Sequence, residues 1–179
     1  MQYPKRIDRK KCYSGGIIDV YKDTVELSGG KTGQWDYVFH KKGGGAAVVS
    51  VLPDGNILMV RQTRPAIDME MLELPAGAGE TGENTADTAK RELGEETGYS
   101  AKTLEKLARI YSAPAYCNEF TDIYLALNVE KTGGQKLDEA EEIVVESHSL
   151  IELIAMIRKG EITNAGTVAG ILAYNAYLQ

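Results

Sequence analysis

The sequence predicts an α+β protein in which a mixed β-sheet is covered by helices on both faces, with a small antiparallel β unit at the N-terminus. The order of patterns supports this fold class: strand-like runs come first, then one helix, more strands and two closing helices. The chain has 179 residues, of which 43% are hydrophobic and 26% charged, as in an ordinary globular protein. This length is sufficient for one sizeable core and a small appended unit.

The first 42 residues predict the small antiparallel unit. Residues 16–21 and 36–40 alternate between apolar and polar side chains, and the glycine-rich segment 29–33 separates them. This pattern predicts two or three short strands. The basic run at residues 5–11 is interpreted as a solvated terminus, and the three glycines at 43–45 mark the boundary of the second domain.

Residues 43–179 are predicted to form the main domain. Two apolar strands, at 46–52 and 56–62, are joined through Pro53-Asp54-Gly55, which is a hairpin signal. The remaining elements are one helix in the middle of the chain, strands at 71–76, 107–112, 120–129 and 142–146, and helices at 149–159 and 164–178.

Composition excludes several classes of function. A net charge of −6 argues against a nucleic-acid-binding surface. No apolar run approaches the length that spans a membrane, and Met1 is not followed by the apolar core of a signal peptide. Two cysteines, Cys12 and Cys117, form no disulfide framework and are typical of a reducing compartment. We therefore expect a cytoplasmic protein that contacts neither nucleic acid nor membrane.

The most informative segment is residues 77–99, called the acidic box below. It consists of a glycine-rich loop followed by a helical pattern on which Glu92, Glu95 and Glu96 lie within roughly 100° of one another. Three crowded carboxylates repel each other unless a cation lies among them, and hard oxygen ligands favour Mg²⁺ or Mn²⁺. Gly98 follows the helix, as a left-handed C-terminal residue does. The alternative is a solvated acidic helix face with surface salt bridges.

The acidic box resembles the Nudix box, G-x5-E-x7-R-E-U-x-E-E-x-G-U, in which U is a bulky apolar residue. Every fixed position is filled, although Tyr99 is an unusual last U; the matching residues are Gly77, Glu83, Arg91, Glu92, Leu93, Glu95, Glu96 and Gly98. The resemblance implies the Nudix α/β/α sandwich with a mixed sheet and a divalent metal, Mg²⁺ or its substitute Mn²⁺.

Segments outside the acidic box resemble one branch of that family, the ADP-ribose pyrophosphatases. Glu73-Leu74-Pro75-Ala76-Gly77 matches the branch's E-L-P-A-G lead-in, and Pro114 stands sixteen residues after Gly98, where the branch carries a proline. The surrounding loop, residues 112–119, matches in part, because Ala115 stands where the branch prefers glycine. The resemblance implies Mg²⁺-dependent hydrolysis of the pyrophosphate bond of ADP-ribose to AMP and ribose 5-phosphate.

A second acidic run, Asp138-Glu139-Ala140-Glu141, resembles the D-E-x-E loop of ADP-ribose hydrolases. The resemblance implies Glu139 as a mobile base and Glu141 as a further metal ligand, although a solvated loop before a strand gives the same pattern. The full set of implied metal ligands is the Ala76 carbonyl, Glu92, Glu96 and Glu141. Glu95 is expected as a ligand or an orienting group, and Arg91 as a partner of Glu83 or of a catalytic glutamate.

Substrate contacts follow from weaker matches. Arg61 and Arg64 belong to a V-R-Q-x-R segment and either could bind phosphate, or form a surface salt bridge. In relatives, N-terminal aromatic residues stack on the adenine, so Trp35 or Tyr37 could do so here, with core packing as the alternative. Pro114 and Glu119, in the partly matching loop, complete the predicted substrate site. The resemblance also implies a homodimer. This expectation agrees with the small size of the N-terminal sheet, since such a sheet rarely stands alone in water.

Two other functions stay open from the sequence. One is hydrolysis of a different nucleotide, such as a GDP-sugar like GDP-mannose, an oxidised nucleoside triphosphate or a dinucleoside polyphosphate. The other is a non-catalytic Nudix module that binds ADP-ribose as a signal. The intact acidic box argues against a sensor, and the E-L-P-A-G segment argues against a triphosphate substrate.

Overall fold

The computed structural model describes residues 4–139 and 141–179, and Ala140 of the second acidic run therefore lies outside the described residues. The chain divides into two compact units. The first comprises the chain up to Gly43 together with Tyr111–Phe120, and the second comprises Gly44–Ile110 and Thr121–Gln179. The first unit thus includes a loop that the sequence prediction placed in the main domain.

The first unit is built on a three-stranded antiparallel sheet. Its strands are β1 (Lys5–Ser14), β2 (Ile18–Glu26) and β3 (Thr32–His40), in the order β1-β2-β3. The basic run, interpreted from the sequence as a solvated terminus, is exposed as expected, but it is also an ordered strand, β1. Its positive charges are balanced across the sheet: Arg9 forms two hydrogen bonds with Asp23, at 2.7 and 2.6 Å.

The loop at Tyr111–Phe120 is attached to the outer edge of β3. The Val38 N–H donates to the Tyr116 carbonyl at 2.7 Å, and Val38 forms a parallel bridge with Cys117. The Asn118 side chain accepts from the His40 N–H at 2.7 Å and donates to the His40 carbonyl at 3.2 Å. At His40 this one side chain therefore takes the place of a neighbouring strand, and the His40 carbonyl also accepts from the Gly43 N–H at 3.0 Å.

The second unit contains a mixed seven-stranded sheet. Five strands form the path β12-β5-β4-β10-β9, while β6 pairs with β5 and β7 pairs with β4. A separate two-stranded sheet joins β8 to β11. The strands are β4 (Gly44–Val51), β5 (Ile57–Arg64), β6 (Met69–Glu73), β7 (Ala76–Ala78), β8 (Tyr99–Ser100), β9 (Glu105–Tyr111), β10 (Phe120–Leu127), β11 (Glu130–Lys131) and β12 (Ile143–His148).

Three α-helices cover this sheet: α1 (Thr85–Thr97), α2 (Leu150–Lys159) and α3 (Ala165–Tyr177). Each begins at a polar residue that accepts hydrogen bonds from the first turn. Side chains alternate along β4, so that one set packs with α1 and the other with α2 and α3. The first core contains Ala46, Val48, Leu58, Ala89 and Leu93, and the second contains Val49, Met59, Leu74, Leu153 and Ile171. The predicted α+β sandwich is confirmed.

Several elements differ from the prediction in detail. The strand expected at 71–76 is interrupted, since β6 ends at Glu73 and β7 begins at Ala76. The interruption lets β6 pair with β5 and β7 pair with β4. The 3-10 helix Pro65–Ile67 and the strands β8 and β11 were not predicted, because two or three residues carry no periodicity. Within the described residues, no helix has the length and apolar character needed to cross a membrane.

Candidate metal and pyrophosphate site

Helix α1 carries the glutamates of the acidic box on a rigid support. Asn84 caps its N-terminus by accepting hydrogen bonds from the Ala86 and Asp87 N–H groups, both at 3.0 Å. Ala89 and Leu93 are fully buried against the sheet. Burial of this flank fixes the rotation of the helix, and therefore the direction in which its carboxylates point.

The carboxylates of α1 lie directly against the backbone of β7. The Ala76 N–H donates to Oε2 of Glu96 at 2.9 Å. Next to it, the Glu92 carboxylate occupies the space where a Cβ atom on Gly77 would be, so that no larger residue fits at Gly77 without displacing Glu92. The structure thus brings two predicted metal ligands, Glu92 and Glu96, to the Ala76–Gly77 backbone, and the Ala76 carbonyl is a further predicted ligand.

Burial perturbs both of these carboxyl groups. Glu96 is 4% exposed, and the loss of solvent raises its pKa to about 8, with the nearby charges of Glu92 and Glu141 adding to the rise. Burial also raises the pKa of Glu92. A buried carboxyl group of this kind is costly to ionise in the protein alone, and a bound cation would offset the cost.

Arg91 forms hydrogen bonds with three glutamates of the acidic box. Its Nε and Nη2 donate to Glu83 at 3.1 Å each, its Nη1 to Glu92 at 2.8 Å and Glu95 at 2.9 Å, and its Nη2 also to the Ala78 carbonyl at 3.0 Å. A guanidinium has five N–H donors, and all are used in these bonds. Arg91 therefore holds carboxylates in place, and it lowers the pKa of Glu83 to about 2.

One residue of the second acidic run, Glu141, interacts electrostatically with these carboxylates. The charge of Glu141 contributes to the raised pKa values of Glu92 and Glu96, which places it within electrostatic range of both. Its own carboxylate accepts a hydrogen bond from the Asp138 N–H at 3.1 Å, whereas Glu139 is exposed. Across residues 4–139 and 141–179, no three acidic, histidine or cysteine side chains already have the spacing of a metal site.

The two predicted phosphate-binding arginines have different surroundings. Arg64 forms hydrogen bonds with the buried Glu73 at 3.0 and 2.5 Å, and the charges of Glu96 and Glu141 help to raise its pKa. Arg61 instead forms ion pairs with Glu146 and, at 3.5 Å, with Glu70. Arg64 is thus the arginine that lies near the carboxylates of α1. Arg61 is in a salt-bridge network, the alternative that the sequence left open.

The other predicted substrate residues lie in the first unit. Trp35 is 50% exposed and borders a cavity of about 560 Å³ with Tyr116, which is 54% exposed. Tyr37 is less exposed, and its ring faces the Arg9 guanidinium at 4.4 Å. Pro114 is exposed, and Glu119 lies 4.0 Å from His40.

Sequence reasoning missed three residues that shape these sites. Glu73 was noted only as part of a motif, although it is buried and binds Arg64. Tyr116 was noted only as part of a loop, where an aromatic side chain among small residues was the available signal. Gln135, which contacts the end of α1, carries no pattern in the sequence.

Comparison with known proteins agrees with this geometry. The NUDIX domain matches residues 41–169. The chain is 36% identical over 168 residues to an ADP-ribose pyrophosphatase of Bacillus subtilis, covering 93% of this chain and 90% of that protein. It is 32% identical over 168 residues to a methanol dehydrogenase activator of Bacillus methanolicus, with the same coverage.

The fold also matches a solved structure. A crystal structure described as an ADP compounds hydrolase superposes with a TM-score of 0.88 over 99% of this chain and 95% of its own, at 19% identity. At that identity the similarity concerns the fold, which is the sandwich seen here. The domain match extends over more than half of the sequence, and the glutamates of its signature meet at one backbone segment; the chain belongs to the Nudix family.

Proposed function

We propose that this protein hydrolyses the pyrophosphate bond of ADP-ribose, releasing AMP and ribose 5-phosphate, and that the reaction requires Mg²⁺. The observation that carries the proposal is the placement of the Glu92 and Glu96 carboxylates on the backbone of β7, at Ala76 and Gly77. The relative from Bacillus subtilis, named for this activity and aligned over most of both chains, supports the choice of substrate.

The donor set fits a hard divalent cation. Glu92, Glu96, Glu141 and the Ala76 carbonyl offer only oxygen atoms, which Mg²⁺ and Mn²⁺ prefer. The buried Glu96, with its pKa raised to about 8, fits the same role because a cation would stabilise its ionised form. When bound, the cation neutralises pyrophosphate oxygens and makes a water molecule more acidic.

The chain's own residues supply orientation and a proton acceptor. Hydrolysis adds the oxygen of one water to one phosphorus and breaks the bond from that phosphorus to the bridging oxygen, which leaves with the other phosphate. In this proposal the exposed Glu139 accepts the proton of the water, and Glu95 orients the water or the carboxylates beside it. Arg91 holds Glu83, Glu92 and Glu95 in place through four of its five donors.

Two further features support substrate binding. Arg64 can offer a guanidinium edge to the pyrophosphate, since its side chain is 43% exposed despite its pairing with Glu73. Trp35 and Tyr116 offer exposed aromatic faces to the adenine at the 560 Å³ cavity of the first unit. In this proposal Pro114 and Glu119 shape the same loop, whereas Tyr37 packs on Arg9.

We also propose a homodimer with a cytoplasmic location. Apolar side chains are exposed on the first unit, including Ile7, Tyr13 and Ile17, at 51%, 58% and 66%. A second copy that covered them would stabilise a small sheet. Light scattering on the purified protein tests the dimer, and a mass equal to one chain would exclude it.

The test of function is a substrate panel. ADP-ribose, GDP-mannose, ADP-glucose and dGTP are incubated with the protein with and without Mg²⁺, and products are separated by chromatography. We expect Mg²⁺-dependent release of AMP and ribose 5-phosphate, with ADP-ribose preferred. Substitution of a residue that only orients a metal ligand lowers activity by roughly 10- to 100-fold. In the Glu92→Gln variant, which removes a proposed ligand, we expect the rate to fall by more than that.

The other outcomes separate the alternatives. A preference for GDP-mannose would keep the Nudix chemistry and exclude the proposed substrate. Binding of ADP-ribose without turnover of any compound would indicate a sensor. The exposed Glu26 provides the matched control, because Glu26→Gln makes the same chemical change in the first unit and should leave the rate unchanged.

A further inference from the structure

The segment that precedes the second acidic run is bound to the C-terminal end of α1. The Thr132 and Gly133 N–H groups donate to the Gly98 carbonyl at 2.9 and 3.1 Å, and the Lys136 N–H donates to the Glu95 carbonyl at 2.8 Å. The last carbonyls of a helix have no partner within it. Here a neighbouring loop supplies these partners at the helix that carries the acidic box.

One side chain in this segment joins two distant backbone positions. Nε2 of Gln135 donates to the Glu96 carbonyl at 2.8 Å and to the Ile143 carbonyl at 3.0 Å. Both partners are carbonyl oxygens, which only accept, so the NH₂ end of the amide must face them and both of its hydrogens are used. No other type of neutral side chain of this length offers two such donors.

The two carbonyls belong to the end of α1 and to the start of β12, the strand that follows the acidic run. Glu96 lies in the last turn of α1, and Ile143 is the first residue of β12, where it pairs with Gln62 of β5. The residues between Gln135 and Ile143 include Glu139 and Glu141. The Gln135 amide therefore ties the chain just before the acidic run both to the end of α1 and to the residue with which β12 begins.

We infer that Gln135 is a positioning residue for the metal site, because it fixes the acidic run relative to the glutamates of α1. The inference rests on the proposed function, in which Glu141 and Glu96 serve one cation. Gln135 itself touches neither cation nor substrate in this role. It acts by fixing the segment that leads to Glu141 to the last turn of α1, which carries Glu96, and to the start of β12.

The test uses Gln135→Met, which keeps the length and neutrality of the side chain and removes both donors. Mn²⁺ affinity is measured by calorimetry on the substrate-free protein, and kcat, KM and the melting temperature are measured beside it. We expect Mn²⁺ affinity and kcat to fall by roughly 10- to 100-fold, as for other groups that orient metal ligands, with KM changed by less than about threefold. Gln179→Met, at the exposed C-terminus, is the matched control.

A purely structural role would give a different result. A lower melting temperature with wild-type Mn²⁺ affinity and kcat would overturn the inference, and so would no change in any quantity. If Gln135→Met does not fold, Gln135→Ala is measured against the same criteria. Failure of the proposed function gives a separate result: the wild-type protein would bind Mn²⁺ without hydrolysing ADP-ribose. The comparison of Mn²⁺ affinity between the wild type and Gln135→Met would then still decide the role of Gln135. A wild-type protein that bound no Mn²⁺ would also overturn it.

Discussion

Replacing Glu96 by glutamine should make the metal-free protein more stable while it abolishes activity. Glu96 is buried, accepts a hydrogen bond from the Ala76 N–H, and has its pKa raised from 4.5 to about 8. An acid with a raised pKa binds its proton more tightly in the folded state than in the unfolded state. The contribution of Glu96 to the stability of the metal-free protein therefore falls as the pH rises from about 4.5 to about 8, and changes no further above that range.

The size of the effect follows from the gap between the two pKa values. At about 1.4 kcal/mol per pKa unit, full ionisation of Glu96 costs roughly 5 kcal/mol, and about 3 kcal/mol of this cost applies at pH 7. Glutamine stays neutral and avoids this cost. For a chain of this size, ~3 kcal/mol corresponds to a rise of roughly 6–12 °C in melting temperature.

The assay compares melting temperatures of the wild type and Glu96→Gln in EDTA between pH 4 and pH 9. We expect the two curves to meet near pH 4 and to separate steadily up to pH 8, and we expect Mg²⁺ to raise the melting temperature of the wild type alone. Curves that stay parallel over the whole range would refute the argument from burial. Turnover of ADP-ribose by the variant would refute the assignment of Glu96 as a ligand.

Two further predictions concern the base site and the end of α1. Trp35→Ala should raise KM for ADP-ribose by roughly 5- to 150-fold with little change in kcat, since stacking on one base contributes about 1–3 kcal/mol. Tyr37→Leu is the control. An unchanged KM in Trp35→Ala would exclude stacking of the adenine on Trp35. Gly98→Ala should destabilise the protein more than Gly160→Ala, as measured by urea denaturation. Both glycines have positive φ, 75° and 74°, but only at Gly98 would a Cβ meet a backbone oxygen, that of Gly133 at 2.5 Å. Equal losses would show that this close approach does not matter.

The main domain could be predicted because its elements carry strong local signals. The hairpin at Pro53-Asp54-Gly55, the N-cap at Ser149 and the C-cap at Gly98 each combine a turn residue with a change of hydrophobic period. The carboxylate flank of α1 could also be predicted, because three glutamates at helical spacing share a face whatever the tertiary structure is. The predicted ends of most strands and helices of the main domain agree with the structure to within a few residues, because local turn and cap residues determine them.

Features that depend on partners distant in the chain could not be predicted. The basic run at residues 5–11 carries no strand pattern in isolation, yet it forms β1, in which Arg9 and Lys11 bond to the Asp23 and Asp19 side chains of β2. Likewise, a glutamine surrounded by glycine and lysine has no pattern of its own. Its role follows only when α1 and β12 bring two carbonyl groups within reach of one amide.

The spacing of the acidic box has a physical explanation in this structure. A side chain at Gly77 would displace the Glu92 carboxylate, which lies 15 residues further along the chain and rests on the Gly77 backbone. Gly98 must be glycine for a second reason, since its left-handed turn is in contact with the Gly133 backbone that leads to the acidic run. The two glycines therefore mark two places where a Cβ atom would collide with a group packed on it. Helix α1 carries its glutamates between these two positions. The segments next to it supply the remaining oxygen ligands of the proposed metal site, the Ala76 carbonyl and the Glu141 carboxylate.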